Sequence, residues 1–529
     1  MCFQSIISME PTIILSTDGR DALSCAQAQV HGIQIELELV RQGNRLLVFL
    51  TSAAEPVSFV RLSWPVPLEE NALLLGDAWE RSYGDLSWRR IDPDFVMPWY
   101  VMVYENGLTH GYGVETGCAS MAHWKADGKT MILTLDVRNG GEGVLLNGRK
   151  LLAATVLCRE GGSGEKPFEA AQAFCRMMCP HPRMPKEPVY GINNWYYAYG
   201  VSSEEEILRD ADYLKPLTKD QPVRPFVVID DGWQLCHTSC CNGGPWDRSN
   251  YRFPDMKALA EKINARGMRP GIWFRPLLTS ECYPDECYLR RDPDNTNPDS
   301  LKQRTLDPSH PYVLNKVREM MRGLSAWGYE LIKHDFSTWD IFGRWGFPMG
   351  EEMTESGWHF HDRGLTTAEI ILNLYRALRE GAGNDVLILG CNTISHLSAG
   401  IFDMQRTGDD TSGKDWTRTR KMGVNTLAFR LPQHSAFYAV DADCVGITPL
   451  IPWEKNVQWM RLLARSRTPM FLSIDVAHVT PDMTADIQKA IRMFLAPAAD
   501  ASVQPLDWLD TPCPRTWRIG DETESFLWE

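Results

Sequence analysis

The stretch "YELIKHDFSTWD" at residues 329–340 carries the chain from an apolar run to a lysine and an aspartate two positions apart. The apolar residues predict a buried strand at 329–335, with Lys333 and Asp335 at its end. Side chains two positions apart in a strand point to the same face, so these two share a face and His334 points the other way. A neighbouring lysine favours the ionised form of Asp335, which suits a nucleophile.

Seven further apolar runs of similar length recur after residue 185. Together with 329–335 they predict eight strands, at 189–198, 225–233, 269–276, 329–335, 386–392, 402–409, 435–443 and 470–476. Amphipathic helical patterns lie between several of them, at 204–216, 255–267, 311–328 and 366–383. Strands separated by such helices form parallel sheets, and eight units predict a (β/α)8 TIM barrel. A doubly wound sheet is the competitor, but no GxGxxG follows the first strand.

The chain before the barrel has a different pattern. Alternating stretches at 33–40, 45–52, 131–139 and 150–158 are punctuated by Gly and Asn, which is typical of antiparallel strands. A helical segment at 168–179 and a Pro-rich linker follow. We therefore expect a multidomain α and β protein: an N-terminal antiparallel β-sandwich (1–180), a catalytic (β/α)8 barrel (185–495) and a short C-terminal β segment (496–529).

Composition excludes several classes of function. The 529 residues carry a net charge of −14, which disfavours nucleic acid as a partner. No apolar run reaches the roughly 20 residues that span a bilayer, so no membrane association is expected. The N-terminus does not resemble a signal peptide, and the 14 scattered cysteines fit a reducing cytoplasm better than a disulfide framework. Oligomeric state, including a homo-oligomer, is left open.

Polar residues end nearly every predicted barrel strand, and the active sites of such barrels lie at the carboxyl ends of the strands. These residues are Asp230, Asp231, Trp233, Trp273, Arg275, Lys333, Asp335, Cys391, Asn392, Arg406, Asp409, Asp410, Asp441 and Asp443. Paired carboxylates with a lysine and no phosphate-binding loop suit glycoside hydrolysis. The aspartates could also bind Mg²⁺ or Ca²⁺, but neighbouring Arg and Lys already supply positive charge. We expect neither a metal nor a cofactor.

Several motifs together resemble the retaining α-galactosidase clan of glycoside hydrolases, in particular its larger bacterial, raffinose-synthase-like branch. They are "INNWYYAYG", "VVIDDGWQ", "FPDMKALAEKINARGMRPGIWFRP", "LIKHDF" and "RTGDDTSG". The resemblance covers residues 185–445 by motif and the whole chain by layout. It implies a β-sandwich before a TIM barrel and an oligosaccharide or glycoside as substrate.

The resemblance also implies roles for particular residues. Asp335 would be the nucleophile and Asp409 the acid/base, chosen because the family's acid follows Gly or Ser directly; Asp410 would support the loop. The substrate contacts would be Asp230, Asp231, Trp195, Trp233, Trp273, Arg304, Lys333, Cys391, Asn392 and Arg406. Asp230 and Asp231 would accept hydrogen bonds from sugar hydroxyls, and the tryptophans would wall the pocket.

Departures from the family pattern touch the rim of the site. Tyr196 and Arg275 stand where glutamates are usual, and Gln405 replaces a tryptophan. We therefore expect a retaining hydrolase of terminal α-galactosyl residues. The alternatives are an α-galactosyl transferase of the raffinose-synthase type, an α-N-acetylgalactosaminidase, and a non-catalytic carbohydrate-binding protein.

Overall fold

Two antiparallel sheets build the first part of the chain. The computed structural model describes residues 3, 5–17, 20–25 (backbone only), 35–237, 241–292, 303–497 and 502–529. The strands of this part are β1 (Thr12–Thr17), β2 (Arg20–Cys25), β3 (Ile35–Gln42), β4 (Arg45–Ser52), β5 (Phe59–Pro65), β6 (Leu73–Gly76), β7 (Arg89–Arg90), β8 (Met97–Pro98), β9 (Tyr100–Glu105), β10 (Leu108–Val114), β11 (Met121–Ala126), β12 (Thr130–Asp136) and β13 (Lys150–Arg159).

The order of the strands shows a sheet-rich N-terminal region. A six-stranded sheet runs β2-β1-β5-β12-β11-β8, and a seven-stranded sheet runs β3-β4-β13-β10-β9-β6-β7. The alternation in the sequence reflects this packing, since every second residue of β4 is buried. The first two residues of the predicted strand 33–40 lie outside the described part of the chain.

A curled parallel sheet forms the centre of the second part. Its region contains β14 (Tyr190–Asn193), β15 (Phe226–Ile229), β16 (Arg269–Phe274), the short pair β17 (Leu278–Thr279) and β18 (Arg304–Thr305), β19 (Leu331–His334), β20 (Leu387–Gly390), β21 (Met404–Arg406), β22 (Ala439–Asp441), β23 (Val445–Ile447) and β24 (Met470–Ile474). Nine of them form one parallel sheet in the order β22-β21-β20-β19-β16-β15-β14-β24-β23. Its two outer strands follow each other in the chain, so the sheet curls round as a TIM-like barrel does.

Helices alternate with these strands and pack on the outside of the sheet. They are α1 (Pro167–Met178), α2 (Trp195–Ala198), α3 (Glu204–Thr218), α4 (Met256–Asn264), α5 (Pro311–Ala326), α6 (Ser337–Phe342), α7 (Thr367–Ala382), α8 (Ser395–Ser398), α9 (Trp416–Thr419), α10 (Asn425–Arg430), α11 (Trp453–Ser466) and α12 (Pro481–Leu495). Side-chain hydrogen bonds cap the starts of α3, α4, α5, α7, α9 and α12; α7, for example, begins at a capping box of Thr366 and Glu369.

All eight predicted barrel strands are present, with two differences. The first ends at Asn193 because Trp195–Ala198 turn into α2. The seventh is split into β22 and β23 by three residues, among which Asp443 has a φ of 78°. The barrel is therefore TIM-like with one strand more than the sequence predicts.

The end of the chain forms a small antiparallel sheet of β25 (Val503–Pro505), β26 (Thr516–Ile519) and β27 (Glu522–Ser525). Trp517 and Trp528 from this region are almost completely buried, and the backbone oxygen of Trp528 accepts a hydrogen bond from Trp416 of α9. None of the helices in the described part of the chain combines the length and apolar character that a bilayer crossing needs.

Candidate active site

Asp335 follows β19 directly, at the carboxyl end of the curled sheet. Only 8% of its surface is exposed. Its Oδ2 accepts a hydrogen bond from Trp273 Nε1 at 3.0 Å, and its Oδ1 accepts one from the backbone N–H of Phe336 at 2.7 Å. Phe336 takes a left-handed backbone with a φ of 65°, which turns the chain sharply after the aspartate. The carboxylate is thus oriented from two sides.

Lys333 lies beside Asp335 but donates its hydrogen bond elsewhere. Its Nζ contacts Asp230 Oδ2 at 2.7 Å, and Asn193 Nδ2 donates to the same oxygen at 2.6 Å. Burial lowers the pKa of Lys333, but the carboxylates of Asp230 and Asp335 outweigh burial and hold this pKa well above its usual value. The lysine is therefore a permanent cation between two strand ends.

The pKa of Asp335 is raised, although cations surround it. Burial is the main cause, and the nearby charge of Asp410 adds to it; Lys333 and Arg81 act in the opposite direction. The sequence predicted that Lys333 would hold Asp335 ionised. The direction of that effect is correct, but burial outweighs it. Asp335 is thus a buried carboxyl among charged groups, and burial has the largest effect on its pKa.

The loop after β21 brings two neighbouring carboxylates to the site, in different settings. Asp409 is 16% exposed: its Oδ1 lies 3.2 Å from Arg81 Nη1, and its Oδ2 accepts a hydrogen bond from Arg418 Nη2 at 2.6 Å. Asp410 is 40% exposed and accepts at Oδ1 from Arg406 Nη2 at 2.9 Å, with Arg81 Nη1 at 3.5 Å. Asp410 thus has the more exposed carboxylate of the two.

Cations also set the protonation of Asp410. Partial burial raises the pKa of this carboxyl, but the guanidinium groups of Arg406 and Arg81 more than offset burial and leave the pKa below its usual value. Arg406 itself is held by Tyr196, whose hydroxyl accepts from Nη2 at 3.0 Å, and by an ion pair with Asp443. Tyr196, one of the departures from the family pattern, thus supports the arginine that binds Asp410.

A segment of the N-terminal part, residues 77–85, reaches into this site. Ser82 pairs with the loop after β21: its N–H donates to Thr407 O at 2.8 Å, and its carbonyl accepts from the N–H of Asp409 at 2.8 Å. Glu80 Oε2 accepts from Asn392 Nδ2 at 2.6 Å. Sequence reasoning missed Glu80, Arg81 and Ser82, since "DAWERSYGD" has no strand or helix periodicity and lies far from the barrel in the chain.

The carboxylate of Asp231 already accepts hydrogen bonds from several other residues of the protein. Its Oδ1 accepts from Gln234 Nε2 at 2.6 Å and lies 3.0 Å from His237 Nδ1, while its Oδ2 accepts from Asn242 Nδ2 at 2.9 Å. A carboxylate has about four acceptor positions, so little capacity is left for a sugar hydroxyl. Asp230 likewise accepts from Lys333, Asn193 and the N–H of Asp231, so sugar contacts by both aspartates stay predictions.

The predicted tryptophans have three different environments. Trp233 is completely buried, packs on Trp246 and Trp327, and donates to Trp273 O at 2.9 Å; its place in the wall of the pocket stays a prediction. Trp273 contacts the nucleophile candidate directly. Trp195 is half-buried against Tyr199, with ring centroids 5.8 Å apart.

The other predicted substrate-binding residues also lie in different environments. Cys391 is buried close to Asp335, and burial together with that carboxylate raises the pKa of its thiol. Asn392 has a φ of 47° and donates to Glu80, which links β20 to the segment 77–85. Arg304 stacks on Tyr288 with the guanidinium 3.6 Å from the ring centroid, and also donates to its hydroxyl. A substrate contact by Arg304 stays a prediction.

Comparison with known proteins places this barrel in context. Residues 175–380 match the family model described as Melibiase. The fold resembles that of TtGalA, an α-galactosidase from Thermus thermophilus solved with p-nitrophenyl α-D-galactopyranoside: TM-score 0.63, 20% identity, 93% of this chain and 96% of that chain covered.

Two further structures agree with the first. The GH36 α-galactosidase AgaA from Geobacillus stearothermophilus matches with a TM-score of 0.57 at 15% identity, covering 87% of this chain and 67% of that one. The α-galactosidase from Lactobacillus brevis matches with 0.56 at 15%, covering 87% and 65%. These likenesses establish the fold, and with the Melibiase match they confirm the resemblance to the α-galactosidase clan and identify a glycoside hydrolase.

Proposed function

We propose that this glycoside hydrolase removes terminal α-galactosyl residues by double displacement, with Asp335 as the nucleophile. The observation that supports the proposal is the position of two carboxylates at the carboxyl ends of nearby barrel strands: Asp335 follows β19 and is oriented by Trp273 and the Phe336 N–H, and Asp410 lies in the loop after β21, with β20 between these two strands. A retaining glycosidase needs one carboxylate to attack the anomeric carbon and another to exchange a proton with the glycosidic oxygen.

We assign the acid/base role to Asp410 instead of the predicted Asp409. Both carboxylate oxygens of Asp409 are engaged by Arg81 and Arg418, and its N–H is fixed by Ser82. Asp410 has the larger exposed surface, and both Arg406 and Arg81 contact its Oδ1, which leaves Oδ2 free of these two arginines. A proton donor needs such a free edge to reach the leaving oxygen.

The reaction then proceeds in two steps. Asp335 attacks the anomeric carbon while Asp410 protonates the departing oxygen, which leaves a glycosyl ester on Asp335. Asp410, now ionised, removes a proton from water, and the resulting oxygen attacks the same carbon and releases Asp335. Substrate that covers Asp410 excludes water from it and raises its pKa, which supports the protonated form that the first step needs.

Galactose as the sugar is supported by two lines of argument. The charged pair of Asp230 and Lys333, with Asn193 on the same oxygen, offers acceptors and donors to ring hydroxyls at the floor of the pocket. The resemblance assigns such an aspartate to O4 and O6. The similar Thermus thermophilus enzyme is solved with p-nitrophenyl α-D-galactopyranoside and with stachyose, both α-galactosides.

The test is hydrolysis of 4-nitrophenyl α-galactoside and of melibiose by the wild type and three asparagine variants. Asp335→Asn should lower kcat by about 10⁴-fold or more on both substrates, as loss of a nucleophile does. Asp410→Asn should affect melibiose more than the nitrophenyl substrate, because nitrophenolate leaves without a proton. Asp409→Asn should affect the nitrophenyl substrate only mildly.

Each alternative gives a different result in this assay. Wild-type cleavage of 4-nitrophenyl α-N-acetylgalactosaminide in preference to the galactoside would replace the proposed sugar. Galactosyl transfer to an added sugar in place of galactose release would identify a transferase. No cleavage of any α-glycoside would leave a binding protein. Equal losses on melibiose and on the nitrophenyl galactoside in Asp410→Asn would overturn our assignment of the acid/base.

A further inference from the structure

Aromatic rings run in contact from the nucleophile to the protein surface. The ring of Phe336 meets that of Trp273 edge-on at 6.3 Å and lies 5.8 Å from the ring of Trp345. Trp345 in turn lies 4.8 Å from Trp339, which is 39% exposed. Both outer tryptophans come from the segment after β19, "TWDIFGRW", so the chain that supplies the nucleophile also supplies this aromatic surface.

Arg81 places the same surface beside the acid/base candidate. Its guanidinium carbon lies 5.5 Å from the Trp345 ring centroid, while its Nη1 lies 3.2 Å from Asp409 and 3.5 Å from Asp410. A single side chain therefore separates Trp345 from Asp410. The group that leaves in the first step takes its proton from the acid/base, so it must sit on this side of the pocket.

The segment that carries the aromatic residues is fixed in place. Arg275 stacks on Phe336, with the guanidinium 4.3 Å from the ring centroid, and its Nε donates to Asp340 at 3.1 Å. The N–H of Trp339 donates to Asn392 Oδ1 at 3.3 Å. A surface held by such contacts is preorganised, so a ligand does not have to order it on binding.

We propose that Trp339 and Trp345 form the subsite for the leaving group, and that this group is a pyranose ring. The inference rests on the proposed function and deepens it. A pyranose has an apolar C–H face that stacks on an aromatic ring and a rim of hydroxyls that needs charged or polar partners. Asp409 and the 40% exposed Arg418 supply that polar rim next to the aromatic surface.

This subsite also gives Asp409 a purpose other than proton transfer. Its carboxylate holds the guanidinium of Arg418 at 2.6 Å, so the exposed donors of Arg418 are kept at one edge of the pocket. A leaving group with hydroxyls can use those donors, whereas a nitrophenyl ring has only its nitro group to offer. The ion pair of Asp409 and Arg418 therefore favours a sugar over an aryl group as the leaving group.

The experiment compares three leaving groups on the full chain: fluoride, 4-nitrophenolate and the glucose of melibiose, each attached to α-galactose. For Trp345→Ala and Trp339→Ala, the loss in kcat/KM on melibiose should exceed the loss on α-galactosyl fluoride by about tenfold or more. Trp345→Phe should recover part of that difference. Tyr251→Ala, which alters a side chain that is 91% exposed, should behave as the wild type.

A fourth variant tests the sugar specifically. Arg418→Met should lower kcat/KM for melibiose by about tenfold more than for the nitrophenyl galactoside. Equal losses on all three substrates in the tryptophan variants would mean a structural role and overturn the subsite. Equal losses on melibiose and the nitrophenyl substrate in Arg418→Met would overturn the assignment to a pyranose. A wild type that cleaves none of the three would instead refute the proposed function itself.

Discussion

At the scale of single residues, the sequence predicts the position of Asp335 at a strand end well and its surroundings poorly. Lys333-x-Asp335 after an apolar run marks a strand end with two inward charges, and the structure has them there. The choice between Asp409 and Asp410 depends on how one loop turns, which neighbouring identical residues do not reveal. That turn is set by Ser82, which lies more than 300 positions away in the chain.

Arg81 is expected to control the pH dependence of the reaction. It lowers the pKa of Asp335, which must be ionised, and that of Asp410, which must be protonated. Arg81→Met removes the cation, so both pKa values rise. The acidic and the alkaline limbs of the kcat/KM profile should therefore both move to higher pH, by about one unit.

The control for this profile is Arg90→Met, which removes an exposed arginine from the same part of the chain. The acidic and alkaline limbs of the kcat/KM profile of Arg90→Met should lie at the same pH as those of the wild type. A fall in kcat/KM for Arg81→Met with both limbs unmoved would mean that Arg81 only supports the structure of the loop.

At the scale of elements, buried apolar runs bounded by polar residues suffice to predict strands. All eight predicted barrel strands exist because each run is buried against helices on one side and the barrel interior on the other. β23 was not predicted, since "VGI" is too short to give a periodic signal and follows β22 after only three residues. A strand-end aromatic such as Trp233 can turn either into the pocket or behind it, and the sequence pattern does not decide between the two.

The loop that carries Asp409 and Asp410 depends on a residue without a side chain. A Cβ on Gly408 would lie 2.1 Å from Thr426 Oγ1 and 2.8 Å from Thr426 Cβ. Gly408→Ala should therefore shift the loop, lower the free energy of unfolding by about 1–3 kcal/mol and reduce kcat. Chemical denaturation and activity measure both effects.

Gly323→Ala in α5 is the matched control, because a Cβ there meets nothing within 4 Å. It should leave activity intact and raise stability by up to about 1 kcal/mol, as alanine does within a helix. Equal stability of Gly408→Ala and the wild type would show that Thr426 moves aside without consequence.

Helix α3 carries a buried acid whose pKa should make stability depend on pH. Burial raises the pKa of Asp210 to about 7, and the Tyr197 hydroxyl donates to it. Because the folded pKa lies above the unfolded value, the stability from the protonated form is complete at low pH and is lost as pH rises through about 7. Asp210→Asn should therefore be more stable than the wild type at pH 8, by on the order of 2 kcal/mol.

Thermal denaturation at pH 5 and pH 8 measures this difference. The difference in Tm between Asp210→Asn and the wild type should be larger at pH 8 than at pH 5. For Asp212→Asn, at an exposed position on the same helix, the difference in Tm from the wild type should be the same at both pH values. A difference in Tm for Asp210→Asn that is independent of pH would contradict the predicted effect of the Asp210 pKa on stability.

At the scale of the whole molecule, the sheet-rich N-terminal region and the TIM-like barrel are joined by direct contacts. Trp79 donates to Gly350 O at 2.9 Å, Thr367 N–H donates to Arg138 O at 2.8 Å, and Asp77 pairs with Arg430 at 3.1 Å. The sequence predicts both parts but not their contact, since residues so distant in the chain leave no periodic signal. The segment 77–85 therefore could not be assigned to the site in advance.

Arg430 is the test of this contact. It is completely buried, pairs with Asp77 Oδ1 at 3.1 Å and donates to Glu80 O at 3.2 Å. Arg430→Met leaves Asp77 buried without its cation, which should lower the free energy of unfolding by about 3–5 kcal/mol. Activity should fall as well, because the segment that carries Arg81 loses its anchor.

The double variant Asp77→Asn with Arg430→Met removes the uncompensated charge and should recover a large part of the stability, as measured by urea denaturation. If Arg430→Met alone is as stable as the wild type, the ion pair does not join the two parts.

The central claim is that Asp335 forms a covalent bond with the sugar. Incubation with an activated, fluorinated α-galactoside that glycosylates the enzyme faster than water releases it, followed by peptide mass spectrometry, tests this directly. We predict one glycosyl adduct, on the peptide that contains Asp335, and none with Asp335→Asn. An adduct on another carboxylate, or continued turnover with inversion at the anomeric carbon and no adduct, would contradict the account.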